Sequence, residues 1–380
     1  MGLRRDGLSA FSGRLMSILI RNLKKSFGDM RAVAGIDLQV AEGEMLVLLG
    51  PSGCGKTTTM RCIAGLETPD SGYISIGGSA VFDDRDGTNV PVHKRQVGMV
   101  FQSYAIWPHM TVFENVSFSL EMKGVGREET RERVHDILRL VGLEGFAEKA
   151  ASYLSGGQMQ RVALARSLVM RPSVLLFDEP LSNLDARLRD HLRVQLRELQ
   201  TQLKISSVYV THDQHEALAL ADQIVVMDHG EVLQTGDPVD LYQAPRSSKI
   251  AQFLGYSNIF AVRKLERADP VWEAQLDNGR AILSAEGAPA GAKEVTVCVR
   301  PDDVSIELRS ETGLEPVGQN VIKGEVILAS FLGSHMQYRV RATEGEVWDV
   351  LSVEVSNRLK LGFSVMLRID PSRVHLLPRH

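Results

Sequence analysis

Five consecutive apolar residues, Met45-Leu46-Val47-Leu48-Leu49, run straight into a glycine-rich loop, Gly50-Pro51-Ser52-Gly53-Cys54-Gly55-Lys56-Thr57. An unbroken apolar run bounded by glycine predicts a strand buried on both faces, which only a covered sheet provides. A helical stretch over 57–65 follows. Strand, loop and helix in this order is the context in which a glycine pattern becomes a phosphate cradle. The glycines let backbone N–H groups wrap the phosphates. Lys56 neutralises charge on the β and γ groups, and the Thr57 hydroxyl is placed to ligate Mg²⁺. Thr58 adds an α-phosphate contact. Cys54 is read as a small loop residue rather than a redox group.

Further apolar runs at 173–177, 207–210 and 223–227 alternate with helical stretches at 127–141 and 186–204. This argues for a largely parallel sheet covered on both faces. Val134, Ile137, Leu138 and Val141 share one helix face. Leu188, Leu192, Leu196, Leu199 and Leu203 form a stripe on the longer helix. The arginines on its other faces, Arg187, Arg189, Arg193 and Arg197, read as a solvated surface. After about Tyr256 the texture changes to short alternating runs at 294–299, 324–328, 336–340, 347–350 and 365–369. Regularly spaced short strands imply a small β-barrel or sandwich. The predicted order is a leader at 1–16, an α/β phosphate-loop domain at 17–255 and an all-β barrel at 256–380.

Composition narrows the partners. A formal net charge of -4 gives no electrostatic reason to expect nucleic acid. Cys54, Cys62 and Cys298 are too few and too scattered for a disulfide framework or a zinc site, which fits a reducing cytosol. No apolar run approaches the roughly 20 residues that span a bilayer. The run from Leu15 to Ile20 is bracketed by Arg14 and Arg21, too short for a signal-peptide core, and reads as a first strand over 16–23. Met16 is an alternative start.

A second phosphate seat lies about a hundred residues past the first. Leu154-Ser155-Gly156-Gly157-Gln158-Met159 opens a predicted helix over 158–169. A helix start built from small residues, with free N–H groups, seats anions. Asp178 and Glu179 end the 173–177 strand. Asp178 suits the magnesium shell and Glu179 suits polarising an attacking water, although acids so placed also serve as helix N-caps. His212 follows the 207–210 strand, at the end of a sheet strand where α/β ligand sites form.

The pairing of the two seats resembles the ATP-binding-cassette (ABC) ATPases. There, each nucleotide is clamped between one subunit's phosphate loop and the other's Leu-Ser-Gly-Gly-Gln helix. The resemblance implies ATP and Mg²⁺ as cofactors and a homodimer. It assigns Ser155, Gly156, Gly157 and Gln158 to the partner copy's nucleotide, and His212 to the γ-phosphate. Gln102, in Val100-Phe101-Gln102, is assigned to the metal and the catalytic centre. Ser182-Asn183-Leu184-Asp185 looks like the loop that crosses the dimer interface, with Asp185 at the nucleotide. Phe27, in a turn-like segment, looks like the aromatic beneath adenine. Stacking is worth roughly 1–3 kcal/mol and discriminates bases poorly, so GTP is tolerated on this reading. Met159 and His215 depart from the family pattern without touching an assigned role.

What the engine drives is read from three features. The chain has one signature and no membrane span, leaving any channel to a separate chain. Val299-Arg300-Pro301-Asp302-Asp303-Val304 resembles the accessory TOBE barrel of bacterial uptake ATPases. Ser103-Tyr104-Ala105-Ile106-Trp107-Pro108-His109-Met110 resembles the surface on which a permease helix docks, with Trp107 either a contact or core. This segment and Gly255-Tyr256-Ser257-Asn258 look like ferric-iron, polyamine or phosphonate importers. Sugar importers are the nearest alternative, and a soluble regulator or nucleic-acid machine the alternative class. The implied assembly sits peripherally on the cytoplasmic face of a bacterial inner membrane. It joins transmembrane permease subunits and, indirectly, an extracytoplasmic solute-binding protein, with no nucleic acid.

Overall fold

The computed structural model describes residues 15–308, 320–355 and 358–379. Residues 1–14 of the expected leader lie outside them. Every residue of Met45–Leu49 is buried, because the strand lies inside a six-stranded sheet. Across that sheet the order is Glu231–Gly236, Gln223–Asp228, Met45–Leu49, Ser206–Thr211, Val174–Asp178, Val97–Val100. Neighbours pair parallel except at the Glu231–Gly236 edge. The four strands expected from apolar runs stand within a residue or two of their predicted bounds. Parallel register sets strand ends side by side: Leu49 pairs with Thr211, and Asp178 with Val210. The segments that follow those ends therefore meet, however far apart they lie in sequence.

A second sheet went unread in the sequence. It is antiparallel, in the order Met30–Ala41, Met16–Phe27, Ser71–Ile76, Ser79–Asp83, Thr88–Asn89. The first strand runs to Phe27 rather than ending at residue 23. Register shifts interrupt its pairing with Met30–Ala41, and such bulges break the two-residue alternation that marks a strand. Ile18, Ile20, Leu23, Val33 and Ile36 from this sheet share one core with Leu46, Leu48, Met60 and Ile63. Burying each such side chain contributes about 1.5–3 kcal/mol, so this sheet anchors the helix that follows the phosphate loop.

The helix Ala186–Leu203 buries a narrower stripe than expected: Leu192 and Leu196, with Gln200. The Gln200 amide donates to Gly43 O at 2.8 Å and Ile205 O at 3.0 Å. Arg197 grips Asp222, whose carboxylate also accepts from Met45 N–H at 2.8 Å. The helix is thus tied through Arg197 to the root of the phosphate-loop strand.

Packing divides the chain after Leu241. The unit from Tyr242 onward holds two five-stranded antiparallel sheets. One is ordered Ala281–Ser284, Val271–Leu276, Asn258–Ala268, Val295–Val299, His375–Pro378. The other is ordered Val304–Leu308, Ser364–Ile369, Asn320–Phe331, Met336–Ala342, Val347–Ser352. Val297, Val299, Ile322, Tyr338 and Trp348 fill their common core. All five expected strands are present. In Val295–Val299 the valines alternate with Thr296 and Cys298, and those two are buried as well. Ala251, on the helix Ser248–Phe253, packs with Tyr256 and Leu377 against Cys298. Thr296 Oγ1 satisfies itself on Leu377 O at 3.1 Å.

Candidate nucleotide site

The phosphate loop is a backbone object. A Cβ on Gly50 would sit 2.1 Å from Met227 O, and one on Gly55 2.2 Å from Ala32 O. Both glycines have positive φ, 157° and 104°. No side chain fits there, and none could adopt those angles without strain. Cys54 N–H closes a turn onto Pro51 O at 3.3 Å, leaving Ser52 and Gly53 at the exposed tip. The helix Lys56–Ala64 starts at Gly55 with no side-chain cap, so its first N–H groups face the loop. The Lys56 ammonium is buried and donates to Gly50 O and Pro51 O, each at 2.8 Å. Burial pushes the Cys54 thiol up, against the opposing pull of Lys56. A thiol held that way is unreactive, in keeping with its reading as a small packing residue. Thr58 is half-buried in the first helical turn.

The acids stand where the parallel register delivers them. Thr57 Oγ1 donates to Asp178 Oδ1 at 3.0 Å. Burial pushes the Asp178 carboxyl up, opposed by the Thr57 hydrogen bond and by Arg61. Glu179 adopts φ 44°, a left-handed conformation that costs a non-glycine residue about 1–3 kcal/mol and clusters at functional sites. It turns the carboxylate out of the strand, and Glu179 Oε2 comes 3.2 Å from His212 Nδ1. Neither Asp178 nor Glu179 caps a helix. That task falls to Asp185, which accepts from Leu188 N–H at 3.0 Å and starts Ala186–Leu203.

Gln102 reaches the acids through a neighbour. Its Nε2 donates to Ser182 Oγ at 3.2 Å, and that hydroxyl donates to Glu179 O at 2.9 Å. Asn183 Nδ2 donates to Gln102 O at 2.9 Å. The sequence reading missed Glu216, which is buried and accepts from Tyr209 Oη at 2.9 Å and Thr211 Oγ1 at 2.8 Å. It locks the strand end from which His212 projects. The available signal was an acid beside Ala217 and Leu220 on an otherwise apolar helix face.

Phe27 ends a strand instead of lying in a turn, because the hairpin begins only at Gly28. Its ring is 42% exposed with Lys25 Nζ 5.1 Å from the centroid. At that exposure the ring is not part of the core.

The signature helix is Gly156–Leu168, starting two residues earlier than expected because Ser155 caps it. Ser155 Oγ accepts from Gln158 N–H at 3.4 Å, and Gln158 Oε1 accepts from Ser155 N–H at 2.9 Å. This reciprocal box satisfies two donors. The N–H groups of Gly156 and Gly157 have no partner within the helix. Further along, Arg166 donates to Tyr104 O at 2.8 Å and Ala105 O at 2.5 Å. Trp107 is half-buried against Phe118, centroids 4.7 Å apart, with Arg166 5.0 Å over its ring. It is neither fully a contact nor fully core. The Gly255–Asn258 segment is structural: Tyr256 is buried, and the Asn258 side chain pairs with the Asp349 backbone at 2.7 and 2.9 Å.

Among the described residues no helix is long and apolar enough to cross a membrane. The sequence profile for ABC transporters matches residues 33–182, and that for the TOBE domain residues 297–377. An Fe(3+) ions import ATP-binding protein of Brucella suis is 43% identical over 353 residues, 93% of this chain and 96% of that protein. One from Rhizobium etli is 44% identical over 362 residues, 95% and 97% of the two chains. A spermidine/putrescine import ATP-binding protein of Mesoplasma florum is 37% identical over 358 residues, 94% and 97%. The solved cbiO1 of Clostridium perfringens, part of the ABC transporter complex cbiONQ, superposes with a TM-score of 0.55 at 29% identity. It covers 62% of this chain and 93% of that one. A phosphate loop, a signature helix and strand-end acids on a parallel sheet define a nucleotide-hydrolysing engine. The chain belongs to the ABC transporter family, in the branch of ATP-binding import proteins that carry a TOBE domain, and it is an ATPase.

Proposed function

We propose that this chain powers ferric-iron uptake. Two copies sit at the cytoplasmic face of the inner membrane and bind transmembrane permease subunits. An extracytoplasmic binding protein delivers the ion. The mechanistic part rests on one observation above all: Glu179 and His212 meet beside the Thr57–Asp178 pair at the mouth of the phosphate loop. The cargo rests on the long, high-identity match to Fe(3+) import proteins of Brucella suis and Rhizobium etli, against 37% for the polyamine relative.

On this reading the Lys56 ammonium exchanges loop carbonyls for β- and γ-phosphate oxygens. The N–H groups of the loop and first helical turn take the remainder. Phe27 stacks on adenine. Bound Mg²⁺ would supply neutralisation of phosphate charge. Thr57 and Asp178 suit it, since this cation keeps water and phosphate ligands and needs few protein oxygens. Glu179 accepts a proton from the attacking water, and His212 holds that carboxylate while contacting the γ-phosphate. Ser155, Gly156 and Gly157 of the second copy close the site from the other side. Gln102 links the Glu179 turn to the loop that Arg166 of the signature helix grips. A permease docked at Trp107 therefore bears on both seats.

The test is uptake. Vesicles containing the full chain and its permease should accumulate ferric iron only with ATP, and Glu179→Gln should stop it. ATP-driven movement of spermidine or a sugar, with iron excluded, would overturn the cargo.

A further inference from the structure

Tyr104 and Ala105 adopt φ of 60° and 48° in succession. Among the described residues no other non-glycine pair does so. Left-handed backbone strains any residue that carries a β-carbon, and it persists only where the surroundings enforce it. The local bonds run from Tyr104 N–H to Phe101 O at 3.0 Å and from Ala105 N–H to Ser103 O at 2.7 Å, which leaves both carbonyls to other partners. One guanidinium takes the two: Arg166 donates to Tyr104 O at 2.8 Å and to Ala105 O at 2.5 Å. Burial pulls Arg166 down from the ordinary arginine value, and among the described residues no carboxylate pairs with it. Its charge is directed at two backbone oxygens and at the Trp107 ring, 5.0 Å away. A hydrogen bond from a charged donor is about twice as strong as a neutral one. Both ends of the segment are pinned. Upstream, Met99 O accepts from Ser167 Oγ at 2.7 Å, and Gln102 is held by Ser182 and Asn183. Downstream, the Asn115 side chain accepts from Trp107 N–H and donates to Trp107 O, each at 3.0 Å. Arg166 holds the strained middle.

We propose that Arg166 is a positioning residue for ATP hydrolysis: by holding both carbonyls it keeps Tyr104 and Ala105 left-handed, and so keeps Gln102 at the Glu179 turn. Released, the two residues return to negative φ. The chain path then changes at two successive positions, and the ends pinned at Gln102 and Trp107 cannot both keep their places. The segment thus has two arrangements, and the helix Gly156–Leu168 selects between them. Arg166 stands roughly 15 Å along that helix from Gly156. A displacement of the helix start by a neighbouring nucleotide therefore carries the guanidinium with it. A push on Trp107 reaches the same guanidinium from the other end of the segment. The link to turnover rests on Gln102 belonging to the catalytic centre; the holding of Tyr104 and Ala105 does not.

ATP turnover of the full chain is measured for Arg166→Met, for Ala105→Gly and for the two together, with amide exchange of residues 101–107 read in parallel. Arg166→Met should lower kcat about tenfold to a hundredfold, with KM for ATP within about twofold of the parent. Exchange at 101–107 should quicken. Glycine adopts a φ near 48° at little steric cost. Ala105→Gly should therefore raise the kcat of Arg166→Met about three- to tenfold more than it raises that of the parent. Ala105→Ser keeps the β-carbon at this exposed position and should give no such rescue; a loss through packing alone would not separate glycine from serine. If Arg166→Met does not fold, Arg166→Lys, which reaches one carbonyl, carries the same cycle. Parental kcat with parental exchange in the folded variant would overturn the role, as would a raised KM with kcat unaltered. Where kcat falls, no rescue by glycine, or equal rescue by serine, would do the same. Faster exchange with kcat and KM both unaltered retains the holding of Tyr104 and Ala105 and removes Gln102 from the catalytic centre.

Discussion

The two phosphate seats are built by opposite means. The phosphate loop is enforced by backbone: Gly50 and Gly55 press against the carbonyls of Met227 and Ala32, and a buried Lys56 closes the loop on itself. The signature seat is enforced by side chains. Ser155 and Gln158 cap one another, and Gly157 faces the side-chain methyls of Leu188. The first has Asp178 and Glu179 at its mouth within the same chain. The second presents two glycine N–H groups and has no acid in its first turn. On the proposed function such a seat is half of a site shared between two copies.

The largest expected effect tests where the chemistry resides. Glu179→Gln removes the proton acceptor and keeps the shape, so phosphate release should fall by about 10²–10⁴ while ATP binding persists. Turnover at the parental rate would move the base elsewhere. The next contrast sets the seats against each other. Gly55→Ala drives a methyl into the Ala32 carbonyl and should cost about 4 kcal/mol, roughly a 10 °C fall in melting temperature. Gly157→Ala meets side chains that yield by a few tenths of an ångström, and alanine favours a helix. Its melting temperature should stay within about 2–3 °C of the parent while turnover drops, because the methyl pushes on Leu188 and Leu192 and shifts the start of the signature helix. Equal stability losses would erase the contrast.

The smallest effect concerns the root of the phosphate-loop strand. Burial alone would raise the Asp222 carboxyl, but hydrogen bonds from Arg197 and Met45 N–H overcome it and hold it low. Its stabilisation is therefore fully present above the ordinary carboxylate value, about 3.9. It is lost as pH falls through the lower folded value. Asp222→Asn should flatten the acid limb of a melting-temperature profile below about pH 4. An unchanged limb would show that Arg197 does not tie the helix Ala186–Leu203 to the seat.

Local patterns carried the seats into view, and long-range register did not. The Gly50–Thr57 loop and the Ser155–Gln158 box are each written within eight residues, so their backbone logic reads directly. Thr57 and Asp178 are 121 positions apart, and their contact is visible only once Met45–Leu49 and Val174–Asp178 are placed in one parallel sheet. The bulged Met16–Phe27 strand hid a whole antiparallel sheet and moved Phe27 from a turn to a strand end. Nothing local in the alternating run at 294–299 announces that Ala251 will pack against Cys298. Gln102 was legible as a site residue only by resemblance, since its partner Ser182 lies on another loop.

Sharing between copies is the central claim, and complementation addresses it most directly. Full-length Lys56→Ala and Ser155→Arg proteins, each inactive alone, are mixed with ATP and phosphate release is measured. If each site joins one copy's loop to the other's signature helix, a mixed pair gathers both lesions into one site and leaves the second intact. Turnover should then rise well above either protein alone. A mixture as inactive as its components would mean that each chain's two seats serve its own nucleotide.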